Sequence, residues 1–71
     1  MAFINELVKV NDTPQVRTGV SADYCFNESA FQIRTYKAGD FQRTEGSKQN
    51  LQLNKQMAQE LIAKLQDFVD Q

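Results

Sequence analysis

The sequence predicts an α+β fold in which four strands precede one C-terminal amphipathic helix. Two patterns indicate this fold: apolar and polar residues alternate in short runs over the first three quarters of the chain, whereas after Asn54 the apolar residues recur at helical spacing. The composition is typical of a folded domain, since 41% of the 71 residues are hydrophobic, 24% are charged, and three Gly and one Pro occur. We therefore expect a single domain over residues 1–71.

Two strands are expected in the first part of the chain, over about residues 3–10 and 15–22. The first is rich in apolar residues and ends at the turn-forming segment 11–14. In the second, Gly19 is a candidate bulge, and residues 21–29 form either a loop or a continuation of the strand. The alternating positions that predict this second strand are Val16, Thr18 and Val20.

The third predicted strand covers residues 30–37 and has two chemically distinct faces, because aromatic or β-branched residues alternate with polar ones. The more apolar face is expected to line the core and consists of Phe31, Ile33 and Thr35. The opposite face consists of Gln32, Arg34 and Tyr36. A turn at residues 38–40 follows, and the polar stretch after it is either a mobile loop or an extended arm.

The fourth predicted strand, residues 48–53, leads directly into a helix over residues 55–70. Asn54 is a good N-cap, and no Gly or Pro interrupts the residues after it. The helix carries one apolar stripe, which should share the core with Leu51 and Leu53. The stripe consists of Met57, Leu61, Ile62, Leu65, Phe68 and Val69.

The residue inventory argues against catalysis and against metal or cofactor binding. Eight Lys/Arg stand against nine Asp/Glu, and the chain has no His, which is the commonest general base and metal ligand. A single cysteine, Cys25, cannot form an intramolecular disulfide or a thiolate zinc site. Asp40 and Glu45 are expected to be solvated rather than a catalytic carboxylate pair. We expect no enzyme activity, no catalytic, cofactor or metal site, and no small-molecule substrate.

No secretory signal or membrane span is evident in the sequence. The first residues lack a basic region followed by an apolar run, and no stretch approaches 18 consecutive apolar residues. We therefore expect an intracellular protein, in the cytoplasm, nucleoid or nucleus, without a membrane partner. Cys25 is then expected to be a reduced thiol.

Positive charge is concentrated in one part of the chain, although the net charge is −1. Residues 30–53 hold four cations against two carboxylates, whereas residues 1–29 and the helical segment are each net negative. Tyr36 and Phe41 are interleaved with these cations. Proteins that bind single-stranded nucleic acid use this combination, with cations along the phosphates and rings stacked on bases. The same composition also occurs on ordinary solvated strands, so both readings stay open here.

The order of elements in residues 30–71 resembles the transcriptional coactivator family of positive cofactor four. The run Ile33-Arg34-Thr35-Tyr36 is followed by a polar loop, by Lys48, and by Leu51-Gln52-Leu53-Asn54 opening the helix. The resemblance implies a four-stranded antiparallel curved sheet followed by the helix, a homodimer, and binding of single-stranded DNA, with RNA as an alternative ligand. It also implies a role in transcription regulation without catalysis.

By position, this resemblance makes Arg34 and Lys48 nucleic-acid contacts, and Arg43 a weaker candidate in the loop. The family commonly has Trp where this chain has Lys37, and residues 45–48 are less basic than the family's stretch. A protein-interaction module that kept the fold but lost this surface is the alternative; convergence of the cations on one face would distinguish the two. The full set of candidate nucleic-acid-binding residues is Arg17, Arg34, Tyr36, Lys37, Phe41, Arg43 and Lys48.

Overall fold

A computed structural model describes residues 1–15 and 17–71 of the chain. In it, a four-stranded sheet precedes one helix, which confirms the predicted α+β class. The strands are β1 (Ala2–Phe3), β2 (Ala22–Phe26), β3 (Phe31–Thr35) and β4 (Gln49–Leu53), and the helix is α1 (Lys55–Val69). The strand order across the sheet is β1-β4-β3-β2.

The sheet is mixed, so the prediction of a purely antiparallel sheet is wrong at β1. The β2–β3 and β3–β4 pairs are antiparallel, whereas β1 runs parallel to β4. Because β1 and β2 lie at opposite edges, the chain between them must cross the sheet and cannot close a tight antiparallel hairpin.

The predicted strands 3–10 and 15–22 are corrected by the structure. The first shrinks to the two residues of β1, and residues 4–15 and 17–21 have neither helix nor strand; the predicted contribution of Val16 lies outside the described residues. The second strand of the sheet is instead β2, in the segment that the sequence left as loop or strand.

A side-chain-capped turn explains why β2 forms where it does. The Asn27 carboxamide oxygen accepts hydrogen bonds from the backbone N–H of Ser29, at 2.8 Å, and of Ala30, at 2.9 Å. The Asn27 N–H donates to the Ala30 carbonyl at 3.0 Å. Asn is favoured in turns because its side chain makes such local bonds. The turn joins β2 to β3 as a hairpin.

The second half of the chain agrees closely with the sequence-based boundaries. β3, β4 and α1 each lie within the predicted ranges and differ by one or two residues at an end. The Asn54 side chain accepts a hydrogen bond from the Met57 N–H at 2.9 Å, which confirms the predicted N-cap. Strand and helix therefore meet at a single capped residue.

Loss of this cap is expected to destabilise the protein by about 1 kcal/mol, because Asn54→Ala leaves the Met57 N–H without its side-chain acceptor. Urea unfolding followed by circular dichroism measures the change. Asn54→Asp, which keeps a capping oxygen, is the control and should retain most of the stability. Equal losses in both variants would contradict the capping role.

The apolar face of the sheet is largely uncovered, contrary to the expectation that it lines the core. Ile33 is 39% exposed and Leu51 is 42% exposed, whereas Tyr36 on the opposite face is 7% exposed. The helix explains this, because α1 begins directly after β4 and contacts mainly that strand. Among the described residues, the buried hydrophobic side chains are Tyr36, Leu53 and Met57.

Aromatic rings extend the uncovered surface across β2 and β3. Phe31 stacks against Tyr24 and Phe26 with ring centroids 5.6 and 6.1 Å apart, while Tyr24 and Phe26 remain about two-thirds exposed at 66% and 71%. Two apolar surfaces therefore face outward. The apolar sheet face consists of Tyr24, Phe26, Phe31, Ile33 and Leu51. Of the predicted apolar stripe of the helix, Met57 is buried as expected, whereas four residues are exposed; these four, here called the helix stripe, are Ile62, Leu65, Phe68 and Val69.

The exposed area of the chain is large for its mass. A folded monomer of 8.1 kDa is expected to expose about 4,500 Å², whereas this chain exposes 6317 Å². Its extents of 33 × 32 × 19 Å describe a flat molecule. One chain thus buries little of its own hydrophobic surface.

Candidate nucleic-acid interface

The second face of the sheet, here called the polar face, carries hydrogen-bonding and charged side chains from β2, β3 and β4. At its centre, the Gln52 amide donates to the Gln32 carboxamide oxygen at 3.0 Å, and the Gln32 amide donates to Asn50 at 3.5 Å. Gln32 lies directly opposite Gln52, and Asn50, on the same strand as Gln52, lies opposite Arg34. The three amide side chains give the polar face a row of amide donors and acceptors beside its charged groups.

A charged cluster, here called the Asp23 cluster, lies on the polar face next to these amides. Asp23 and Arg34 are paired directly across β2 and β3, and the Arg34 Nε donates to Asp23 Oδ1 at 2.7 Å. The Tyr36 hydroxyl donates to Asp23 Oδ2 at 2.8 Å, and Arg43 Nε lies 3.9 Å from the same oxygen. One carboxylate therefore holds two guanidinium groups and a phenol: the cluster is Asp23, Arg34, Tyr36 and Arg43.

These contacts change the protonation equilibria of the cluster. The hydrogen bond from Arg34, followed by that from Tyr36, lowers the pKa of Asp23 below its usual value. In return, the Asp23 carboxylate raises the pKa of the Arg34 guanidinium and that of the Tyr36 phenol. At neutral pH Asp23 is thus an anion and Arg34 a cation, while Tyr36 stays a neutral hydrogen-bond donor.

Asp40 organises the loop between β3 and β4, a role that the sequence analysis did not assign to it. Its carboxylate accepts hydrogen bonds from the Thr44 N–H at 3.0 Å, the Thr44 hydroxyl at 3.1 Å and the Glu45 N–H at 3.0 Å. These backbone bonds are the main reason that the pKa of Asp40 is lowered. These hydrogen bonds fold the loop into a defined turn, in which Arg43 lies near Asp23.

Arg43 adopts an unusual backbone conformation within this loop. Its φ of 59° lies in the left-handed region, which costs a residue with a side chain about 1 kcal/mol or more. Two glycines, Gly39 and Gly46, take the other positive φ values in the loop, where they are tolerated. The strained residue is thus also a member of the Asp23 cluster.

The candidate nucleic-acid-binding residues do not all meet at one point. Arg34, Tyr36 and Arg43 belong to the Asp23 cluster, but Tyr36 is buried, so its ring cannot stack on a base. Phe41 is 80% exposed, so its ring is accessible for stacking on a base.

The three other cations among the candidate nucleic-acid-binding residues lie outside the Asp23 cluster. Lys37 lies 3.8 Å from Glu45, and Lys48 directly precedes β4 and contributes to the lowered pKa of Asp40. Arg17 lies in the irregular segment before β2 and donates to the side chain of Gln15 at 2.9 Å. The polar face thus gathers two arginines and has two lysines at its margin.

Asp23 is the main residue of this site that the sequence analysis missed. It lies in a segment left as loop or strand, so no partner could be assigned to it. The turn residues Asn27, Glu28 and Ser29 between two aromatic runs were the available signal. A hairpin closed there pairs Asp23 with Arg34 directly.

Acid is expected to destabilise the protein mainly through Asp40 and to a smaller extent through Asp23. Both pKa values are lowered in the folded chain, so the stability that these carboxylates contribute is complete above their unfolded pKa near 4 and is lost as the pH falls below it. Melting curves between about pH 7 and pH 2 test this. Asp40→Asn should lower the melting temperature at neutral pH and flatten its acid dependence.

The matched control is Asp67→Asn, which removes an exposed carboxylate from the helix. This variant should keep the melting temperature of the unaltered protein at neutral pH. An acid dependence that is unchanged in Asp40→Asn would contradict the role of this carboxylate.

No protein-family model, curated protein or solved structure matches the chain. The resemblance to the coactivator family therefore rests on the residues quoted for it and stays a prediction. In the part of the chain that the structure describes, no helix combines the length and the hydrophobicity needed to cross a bilayer.

Proposed function

We propose that the protein is a homodimer that binds single-stranded nucleic acid, DNA in the first instance, on the polar face of each sheet. The observation that carries this proposal is the separation of the two faces. Two arginines and a row of amides lie on one side of the sheet, while the other side is apolar and, apart from the buried Leu53, largely uncovered. One face thus offers contacts for phosphates and bases, and the other offers a surface for a second copy.

The side chains on the polar face and at its margin support single-stranded nucleic acid as the ligand. Guanidinium groups bind phosphate oxygens through charge-assisted hydrogen bonds, and Arg34 and Arg43 have side chains that are 36% and 52% exposed. Phe41 adds an exposed ring for stacking on a base that is not paired. Single strands leave their bases free for such contacts, whereas duplexes do not.

The exposed area of the chain supports the proposal of a dimer. The chain exposes about 1,800 Å² more than a folded monomer of its mass. Two copies together therefore have about 3,600 Å² in excess, within the roughly 2,000–5,000 Å² that obligate homodimers bury. The apolar sheet face and the helix stripe supply this surface, and a second copy is the occupant that we propose.

A protein-interaction module is the second candidate, favoured by the carboxylates around the cations. Arg34 and Arg43 face Asp23, Lys37 faces Glu45, and the charge of Lys48 acts on Asp40. Such pairing reduces the positive field that attracts phosphates. A protein-interaction module would bind its partner through the apolar surfaces, so it would not need cations that are free to bind phosphate.

Titration of a fluorescently labelled deoxythymidine oligonucleotide over a salt series tests the proposal. We expect binding at about 50 mM salt that weakens steeply toward about 200 mM, because cations on the phosphates release counterions. The corresponding RNA oligonucleotide identifies the preferred sugar. Absence of binding to either at low salt would refute the nucleic-acid function and leave the protein-interaction module.

A further inference from the structure

The Asp23 carboxylate is the shared acceptor of the hydrogen-bond donors and cations in the Asp23 cluster. Its Oδ1 accepts from Arg34, and its Oδ2 accepts from Tyr36 and lies near Arg43. Two guanidinium groups and a hydroxyl are donors that a phosphodiester also uses. The site is thus already filled by an anion that belongs to the chain.

We propose that Asp23 is an intramolecular competitor of the phosphate backbone, which nucleic acid must displace from Arg34 and Arg43. This inference rests on the proposed nucleic-acid function and adds a feature that limits its affinity. The competitor sets the affinity to a moderate value, because each phosphate that binds the cluster must replace an existing ion pair.

The ion pairs in the cluster are weak enough to be exchanged. The Arg34 and Arg43 side chains are 36% and 52% exposed, and that of Asp23 is 21% exposed. Ion pairs with this access to water contribute little to stability because solvent screens them. Since the pKa of Asp23 is lowered, the carboxylate stays charged at neutral pH, and the competition is constant rather than switched by pH.

An alternative role for Asp23 is to hold Arg34 in the orientation that binds phosphate, through the 2.7 Å hydrogen bond from the Arg34 Nε. At Arg43 the geometry favours competition. The 3.9 Å separation between Arg43 and Asp23 is beyond hydrogen-bond distance, so this contact acts through charge and not through orientation. A carboxylate that attracts both cations lowers the field of both. The two roles predict opposite effects of removing the charge.

The test compares Asp23→Asn with the unaltered protein in the oligonucleotide titration. The amide keeps the size of the side chain and an acceptor for the Tyr36 hydroxyl but loses the negative charge. We expect binding about tenfold tighter at about 50 mM salt, and a salt dependence steeper by about 0.7 in the slope of log K against log salt for one additional cation available to phosphate.

The matched control is Asp67→Asn, which makes the same change in net charge on the exposed surface of α1. This variant should bind like the unaltered protein. Equal strengthening in both variants would overturn the proposal, since net charge alone would then explain it. Weaker or unchanged binding by Asp23→Asn, with normal binding by the unaltered protein, would also overturn it.

A second measurement needs no variant. The Nε–H resonance of Arg34 in the unaltered protein should shift when the oligonucleotide is added, because its acceptor changes from carboxylate to phosphate. An unchanged resonance in a saturated complex would refute displacement. If the unaltered protein binds no oligonucleotide, the proposed function fails and the competition fails with it, whether or not Asp23→Asn binds.

Discussion

Replacing Leu65 with Asp is expected to convert the proposed dimer into a monomer and to weaken association at least a hundredfold. Leu65 is 51% exposed in the single chain and lies within the helix stripe. In a monomer this substitution would change the free energy of unfolding by no more than about 0.5 kcal/mol, because the new charge lies on a solvent-exposed surface. In a dimer it buries an unpaired carboxylate, which costs about 3–5 kcal/mol.

Sedimentation equilibrium at several protein concentrations measures the effect. The unaltered protein should sediment as a dimer and show a melting temperature that rises with concentration, since folding and association are linked. The control is Gln59→Asp, the same new side chain on the polar side of the helix, which should stay dimeric. A monomeric unaltered protein, or a dimeric Leu65→Asp variant, would contradict the role of the helix stripe.

Replacing Arg34 and Lys48 together with Ala is expected to weaken binding of single-stranded DNA about a hundredfold at low salt. Each residue accounts for about a factor of ten, which is typical for removal of a direct cationic contact. Loss of Arg34 has an additional effect because it leaves the Asp23 carboxylate with one cation fewer, and this anion then repels the phosphates more strongly. The log–log salt slope should become shallower by about 1.4 for the two lost cations.

The control variant is Lys64→Ala, which removes a cation from α1, outside the polar face. It should bind within a factor of two or so of the unaltered protein, since a distant exposed charge is screened beyond about 10 Å. A separate variant, Arg34→Lys, keeps the charge but not the guanidinium geometry, so it should retain most of the salt slope while losing affinity. Full affinity in the double Ala variant would exclude the polar face as the binding surface.

The sequence predicted the second half of the fold well because its signals there are local. The spacing of Met57 and Leu61, the cap at Asn54 and the alternation around Ile33 each depend on neighbouring residues alone. Such patterns persist when the surrounding structure is unknown. They also identified Arg34 and Tyr36 as sharing a face, which their common contact with Asp23 confirms.

The first half was harder to predict because its structure depends on distant pairing. Alternation around Thr18 is typical of a strand, but the structure gives no partner strand to residues 17–21. Burial of the apolar sheet face was also mispredicted, because the sequence does not state whether a hydrophobic face is covered by its own chain or by another one. Ile33 therefore has the pattern of a core residue although it is 39% exposed in the single chain.

The parallel pairing of β1 has a consequence for the order of folding. Ala2 pairs with Leu51, so this contact joins residues that lie far apart in the sequence. The β2–β3 hairpin closes over a short turn, and β3–β4 closes over the loop built on Asp40. Closing a short loop costs less entropy than closing a long one, so we expect the three antiparallel strands to pair first and β1 to dock last.

The same order should hold in reverse when the folded protein opens. The Ile4 N–H, which donates to the Gln52 carbonyl at 2.9 Å, should exchange with solvent before the Tyr36 N–H, which donates to Ser21 at 3.0 Å. Opening of β1 leaves the β2, β3 and β4 pairs intact. The candidate nucleic-acid surface therefore forms before the N-terminal strand docks and persists when that strand detaches.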